Sequence, residues 1–314
     1  MDKIRIGTRG SRLALRQAAL VQEAFAKVGV EIETEIVILH TKGDKVLDRP
    51  LSEVGDKGIF VSEFEHALLE GQIDLAVHSA KDLPMALAKG LTIAAVLKRA
   101  DVRDVLIVPK GARVPQGTRS LCGAVIEEAK EQSQTAFVIG TGSRRRQIQA
   151  EQVWNSVVCQ NIRGNVESRL LKLMANGYDG ILLAKAGLDR LGISPLWQEQ
   201  FSFYPLPPEQ FLPAACQGII AVEAVQDSQA AVLCQAIMDQ GTNLSFQVER
   251  EALNQLAADC SEPAAAWCRK EANRLVLDVM YAGNRKTLDC ELGIQNGLEM
   301  AQKAARLVKP ICGM

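Results

Sequence analysis

Through the first two-thirds of the chain, short apolar runs that read as strands are separated by stretches with helical periodicity, and few folds accommodate that alternation. "IRIG" (4–7) reads as a strand, and "SRLALRQAALVQEAFAKVG" (11–29) as a helix that opens on Ser11 and closes at Gly29. "EIETEIVILH" (31–40) alternates like a strand, "IFVSEFEHALLEG" (59–71) like a helix, and "IDLAVHS" (73–79) is again a strand. The rhythm restarts at "DVRDVLIVP" (101–109). It continues through "AFVIG", a helix from about Arg145, "NSVVCQNI", the helix in "GNVESRLLKLMANG" and the strand "YDGILLA". Such repetition predicts parallel or mixed sheets with crossover helices, and hence an α/β fold.

The remaining segments set the domain boundaries. Residues 111–135 read as a surface excursion containing one short helix, and the proline- and aromatic-rich 201–213 as a connection. "GIIAVEA" (218–224) offers a strand back to an earlier sheet. After Thr242 the character changes to a helix, two strands around the turn "AGNR" and a last amphipathic helix over 295–308. The expected organisation is an α/β domain from 1–103 and 214–238, a second from 104–213, and a small α+β domain over 239–314.

Charge narrows the classes of partner. Lys and Arg number 36 against 37 Asp and Glu, so nothing draws the whole chain to nucleic acid or an anionic membrane. A nucleic-acid reading of "SRRRQ" ranks low, because only 4% of residues are aromatic and stacking platforms are scarce. The start "MDKIRIGTRG" has no apolar leader and no stretch approaches a membrane span of about 20 residues, which predicts a cytoplasmic protein. The eight cysteines form no CxxC pair, so no metal site is expected, and most read as small buried hydrophobes.

The turns that follow the strands are basic and glycine-containing: "GTRGSR", "VGDKGIF", "HSAKDLP", "GTGSRRRQ" and "NIRGNVESR". At the carboxyl ends of α/β strands, next to helix N-termini, they suggest a crevice for a polyanion. Arg144, Arg145 and Arg146 at a helix start oppose the macrodipole by a few tenths of a kcal/mol each unless an anion joins them. Taken singly they read more often as a solvated helix start than as a binding site, and Arg169 reads as readily as a surface ion pair. His78 reads as a hydrogen-bonded structural residue, while Lys81 and Asp82 stand together directly at a strand's end.

In this order the motifs "TRGSRLAL", "TKGD", "VGDKGIF", "DLAVHSAKDLP", "RADVRD", "GTGSRRRQ", "NIRGNVESR", "LLAKAGLDRLG", "LPAACQG" and "VEREALNQL" resemble the porphobilinogen deaminase (hydroxymethylbilane synthase) family over nearly the whole chain. The resemblance implies two domains like a type II periplasmic binding protein plus a small third domain, acting as a cytoplasmic monomer. It also implies a transferase that condenses four porphobilinogens, with loss of ammonia, into the linear tetrapyrrole hydroxymethylbilane of porphyrin and haem biosynthesis. The implied cofactor is a dipyrromethane held by a thioether to Cys260, and the implied catalytic carboxylate is Asp82, which would steady the azafulvene cation. The resemblance assigns Lys57, Lys81, Asp82, Thr141, Ser143, Arg145, Arg146 and Gly164 to the cofactor, and Arg9, Ser11, Arg163, Arg169 and Arg190 to substrate carboxylates.

The chain departs from the family's pattern in places. "ADCSEP" replaces the usual Gly-Gly-Cys-x-x-Pro and sets Asp259 beside the thiol, which raises its pKa. "TGSRRR" stands for Thr-Ser-Ser-Leu-Arg-Arg, Lys185 for a small apolar residue, and 111–135 is long. The alternative reading is a divergent relative that binds pyrrole polycarboxylates in the cleft but lacks the covalent primer and turnover.

Overall fold

The computed structural model describes residues 3–30, 32–39, 61–115, 117–118, 136–175, 177–192, 195–258 and 262–309. Lys57, the "TKGD" and "VGDKGIF" motifs, Cys260 and most of the 111–135 excursion lie outside the described residues.

The first lobe contains β1 (Lys3–Thr8), α1 (Arg12–Lys27), β2 (Glu33–Ile38), α2 (Ser62–Leu69), β3 (Leu75–Ser79) and β4 (Leu91–Val96). Ser11 caps α1, its side chain accepting from the Ala14 N–H, and the helix lays Gln17, Ala18, Val21 and Phe25 on the sheet at helical spacing. The second lobe contains β5 (Asp104–Pro109), β6 (Phe137–Gly140), α3 (Arg144–Val153), β7 (Val157–Gln160), α4 (Val166–Met174), β8 (Gly180–Ala184), α5 (Lys185–Leu191), α6 (Pro195–Gln200) and β9 (Phe201–Pro205). The chain then returns through β10 (Ile220–Val225) and α7 (Gln229–Cys234).

The two sheets share one pattern. Their orders are β2-β1-β3-β10-β4 and β7-β6-β8-β5-β9, each with three parallel strands followed by one that runs against its neighbours. In both sheets the antiparallel strand lies next to a crossing between lobes: β5 leads out of the first lobe and β10 leads back. This doubly crossed, two-lobed α/β arrangement is the type II binding-protein architecture expected from the sequence, and "GIIAVEA" does return a strand to the first sheet.

The connection expected at 201–213 begins instead with β9, paired to β5 from Phe201 to Pro205. At the edge of the sheet a proline that ends the strand loses no ladder bond, so its presence concealed a real strand.

The C-terminal unit has α8 (Gln240–Gln255), β11 (Ala264–Glu271), β12 (Arg274–Tyr281), β13 (Asn284–Glu291) and α9 (Ile294–Val308). Its sheet has three strands, not two. β11 opens with an alanine run of weak strand propensity and forms because Ala265, Ala266 and Cys268 are buried when it pairs with β12. The helical face of this sheet shares a continuous core with the first lobe, where Ala215, Ile219 and Ala221 meet Phe246, Val248, Leu277 and Met300. The third unit is therefore welded to the first lobe by apolar packing.

The turn before β10 is conformationally demanding. Cys216 sits at φ 59° and Gly218 at φ 88°, and a Cβ on Gly218 would lie 2.7 Å from the Ala100 carbonyl oxygen. Gly218→Ala therefore strains backbone against backbone and is expected to cost about 2 kcal/mol or more. Urea unfolding of the purified proteins checks this, a shared midpoint being the contrary result.

Candidate active site

Lys81 and Asp82 occupy a 3-10 turn, Ala80–Asp82, directly after β3, which leaves Lys81 half-buried and Asp82 exposed. His78, one turn earlier, is the buried structural residue expected, with its Nε2 2.9 Å from Glu223 Oε2 and its ring edge-on to Phe64. Across the cleft, Thr141 follows β6, and its Oγ1 accepts from the Ser143 N–H (3.2 Å). Ser143 in turn caps α3, its hydroxyl accepting from the Arg146 N–H.

Arg145 and Arg146 behave differently from a solvated helix start. Both are buried, and both guanidinium groups converge on the fully buried Asp104. Arg146 donates from Nη2 (2.7 Å) and Nε (3.1 Å) to Asp104 Oδ1, and Arg145 Nη2 lies 2.8 Å from Oδ2. Each also donates to a backbone carbonyl, Arg145 to Leu212 (2.6 Å) and Arg146 to Leu182 (2.9 Å). The anion that a cationic helix start requires is thus partly supplied by the chain itself. Arg144 remains exposed.

Gln217 extends this cluster. Its Nε2 donates to Asp104 Oδ1 (3.0 Å) and to the Val102 carbonyl (2.8 Å), while its Oε1 accepts from Lys81 Nζ (3.3 Å). One side chain on the turn before β10 therefore joins the Lys81 turn of the first lobe to the paired arginines of the second. From the same residue the carbonyl accepts from Arg99 Nε (2.8 Å), and Arg99 Nη1 donates to the buried Glu249 of α8 (2.6 Å). Glu249 also accepts from the backbone N–H groups of Cys216 (2.5 Å) and Cys268 (2.7 Å), which fixes the third unit to the hinge.

Charge is concentrated by this geometry. Burial pushes the Lys81 ammonium down to about 8, with Asp82 pulling it back up and Arg146 pressing it further down. Burial alone would raise the Asp104 carboxyl, but Arg145 and Arg146 overcome it and hold that group well below the usual carboxylate range. Burial takes Arg169 down to about 10, and the charges it feels, those of Arg146, Asp82 and Arg163, place these groups around one space. Gly164 sets the position of Arg169: its φ is 109°, a Cβ there would lie 2.1 Å from Ser168 Oγ, and its carbonyl accepts from Arg169 Nε (2.8 Å).

Other expected residues fall at the margins. Arg9 is half-buried just beyond β1, and Ser11 is the cap of α1. Arg190, at the end of α5, donates to the Gly218 carbonyl (2.6 Å) and is anchored on the hinge turn. Lys185 forms an ion pair with Asp189, at 2.7 and 2.9 Å, along α5, which gives that unusual lysine a local partner. Arg250 donates to the carbonyls of Pro84 and Met85 (2.7 Å each), tying α8 to the loop that follows Asp82. Beyond α8, Ala258 and Glu262 flank Cys260.

Sequence reading missed Asp104, Gln217, Arg99 and Glu249 as members of the site. "RADVRD" and "LPAACQG" were visible as motifs, but nothing local indicates that residues 113 positions apart share a hydrogen bond.

Asp104→Ala would leave two buried guanidinium groups without their carboxylate and is expected to cost about 3–5 kcal/mol. Because the folded carboxyl is depressed, its stabilising effect is complete above the ordinary carboxylate range of about 4 and fades only as pH falls through the lower folded value. Urea unfolding of wild type and variant at pH 7 and pH 5 should give the same difference at both. A difference that collapses by pH 5 would contradict the depressed carboxyl.

Comparison with known proteins agrees with the motif order. The family described as porphobilinogen deaminase, dipyromethane cofactor binding domain, matches residues 4–232. The porphobilinogen deaminase of Acetivibrio thermocellus is 40% identical over 279 residues, covering 89% of this chain and 87% of that protein. That of Syntrophomonas wolfei is 42% identical over 279 residues, covering 88% and 83%. That of Lachnospira eligens is 38% identical over 313 residues, covering 97% and 98%.

Proposed function

The chain belongs to the porphobilinogen deaminase family, and on that premise we propose how its own residues carry out the family's reaction. It is a transferase, hydroxymethylbilane synthase, which joins four porphobilinogens with loss of ammonia to give hydroxymethylbilane for porphyrin and haem biosynthesis. Its cofactor is a dipyrromethane, and relatives named as the deaminase over most of the chain's length do not favour the reading without a primer. When bound, the dipyrromethane supplies the pyrrole end from which the new chain grows.

The observation that carries the site assignment is an excess of cations in one crevice. Among the described residues, Asp82 and Asp104 are the carboxylates whose charges act on Lys81, Arg145, Arg146 and Arg169 here, Arg163 adds a further cation beside Arg169, and the buried Nε of Arg145 has no hydrogen-bond partner among them. Such a surplus fits a ligand bearing acetate and propionate groups, which burial makes the cations hold tightly. Cys260 is the attachment point, reached through α8, whose Arg250 grips the loop after Asp82. Lys81, Arg145 and Arg146, with Thr141, Ser143, Lys57 and Gly164, hold the cofactor. Arg9, Ser11, Arg163 and Arg169 receive the carboxylates of incoming substrate, and Arg190 supports them from the hinge turn.

Asp82 is the catalytic carboxylate. Its exposed position at the tip of a rigid turn lets it face a substrate pyrrole, accept from the ring N–H and stabilise the positive charge that grows on that ring as ammonia departs. The balance of 36 basic and 37 acidic residues supports no nucleic-acid partner. The described cysteines are all unpaired thiols, which suits a reducing cytoplasm, and action as a monomer is part of this reading on the family premise alone.

Intact mass of the denatured protein, produced in a porphyrin-synthesising host, tests the anchor. Wild type should exceed its sequence mass by one dipyrromethane and Cys260→Ser should not, whereas a bare wild-type mass would overturn the assignment. Asp82→Ala should keep the fold and the added mass but lose tetrapyrrole formation. The depressed Lys81 ammonium gives a pH signature: its hold on the dipyrromethane carboxylates should weaken as pH rises through about 8, so tetrapyrrole formation should fall there. In Lys81→Arg, which stays charged, that fall should disappear. An unchanged pH profile would remove Lys81 from ligand binding.

A further inference from the structure

Two residues outside the family's carboxylate set join the lobes, one from the first turn of α1 and one from the first turn of α4. Arg12 is the first residue of α1, next to Ser11, and Glu167 lies in the first turn of α4, two positions before Arg169. Arg12 Nη1 forms an ion pair with Glu167 Oε1 across the lobes. Alongside it α1 packs on α5, where a Cβ on Gly187 would lie 3.7 Å from Leu13 Cδ2 and 4.0 Å from Val166 Cγ2. An ionic and an apolar contact therefore bridge the lobes through residues other than those of the Gln217 turn, although α5 is also tied to that turn by Arg190.

We propose that Arg12 and Glu167 form a clasp that holds the two halves of the substrate-binding set, Arg9 and Ser11 on one lobe and Arg163 and Arg169 on the other, at their working separation. This rests on the assignment of those four residues made above. Both clasp residues are positioning residues: they act through Ser11 and Arg169, their near neighbours in the chain, and touch no reacting atom. Both sit in rigid first turns of helices, so a change in their distance moves the ligand groups with them. Arg12 is 71% exposed and Glu167 34%, and an ion pair of that kind contributes little to global stability. Loss of the clasp is thus read in ligand binding and lobe separation, not in melting temperature.

The test is a charge swap in the holoenzyme. Arg12→Glu and Glu167→Arg should each raise KM for porphobilinogen about threefold to tenfold with kcat within about twofold, and the double variant should return KM to within about twofold of wild type. Melting temperatures should stay together. Small-angle scattering should show a larger radius of gyration for each single reversal and recovery in the swap. Unchanged KM and unchanged scattering in the single variants, or a swap as impaired as their sum, would overturn the clasp. A wild type that forms no tetrapyrrole would instead remove the proposed function, and scattering would still decide on the clasp.

Discussion

Asp104 begins the strand by which the chain leaves the first lobe, and at that crossing it compensates two arginines from which water is excluded. The two arginines depend on that one carboxylate, since removing Asp104 would leave both of them buried and without it. Gln217 completes the set by donating to Asp104 while accepting from Lys81, and its backbone carries the contact onward to Arg99 and Glu249. Both lobes and the third unit meet through this turn, so the crevice inherits its shape from one polar network.

That network also governs how much positive charge the proposed polyanion site keeps. Burying cations in a cleft costs free energy, and Lys81 and Arg169, pushed down first by burial and then by the charge of Arg146, record that cost. Asp104 neutralises enough of that charge to keep α3 docked, yet leaves the cleft positive. On the proposed function the remaining imbalance is what would meet ligand carboxylates, with little rearrangement of the protein's own dipoles. Asp82 is set apart from this arrangement, exposed on its turn and available to a growing positive charge.

Much of this was legible in the sequence, and what was not has physical reasons. The strands and helices of the lobes follow from periodicity, and Ser11, Ser143 and Asn165 cap helices where their residue types predict. The basic turns suggested an anion site, but the same residues could not reveal that Arg145 and Arg146 turn inward to Asp104. Direction is set by tertiary burial, which local pattern does not encode. β11 escaped notice for the related reason that alanines become a strand only when packing covers them, and β9 because its aromatics and proline imitate a linker. Gln217 gave no local signal, since an amide becomes a hub only through what surrounds it.

The two crossing strands also dictate an order of assembly. Among the described residues β5 to β9 form one sheet from a continuous stretch of chain, whereas β4 pairs only with β10, and β10 is made after the whole second lobe. As the polypeptide emerges, the second lobe can close while the first still exposes the edge of β3 and an unpaired β4. The lobe that comes first in the sequence is therefore the later one to finish. Its last strand follows directly on the turn bearing Gln217, so completion of the first sheet and closure of the polar hinge are a single folding event.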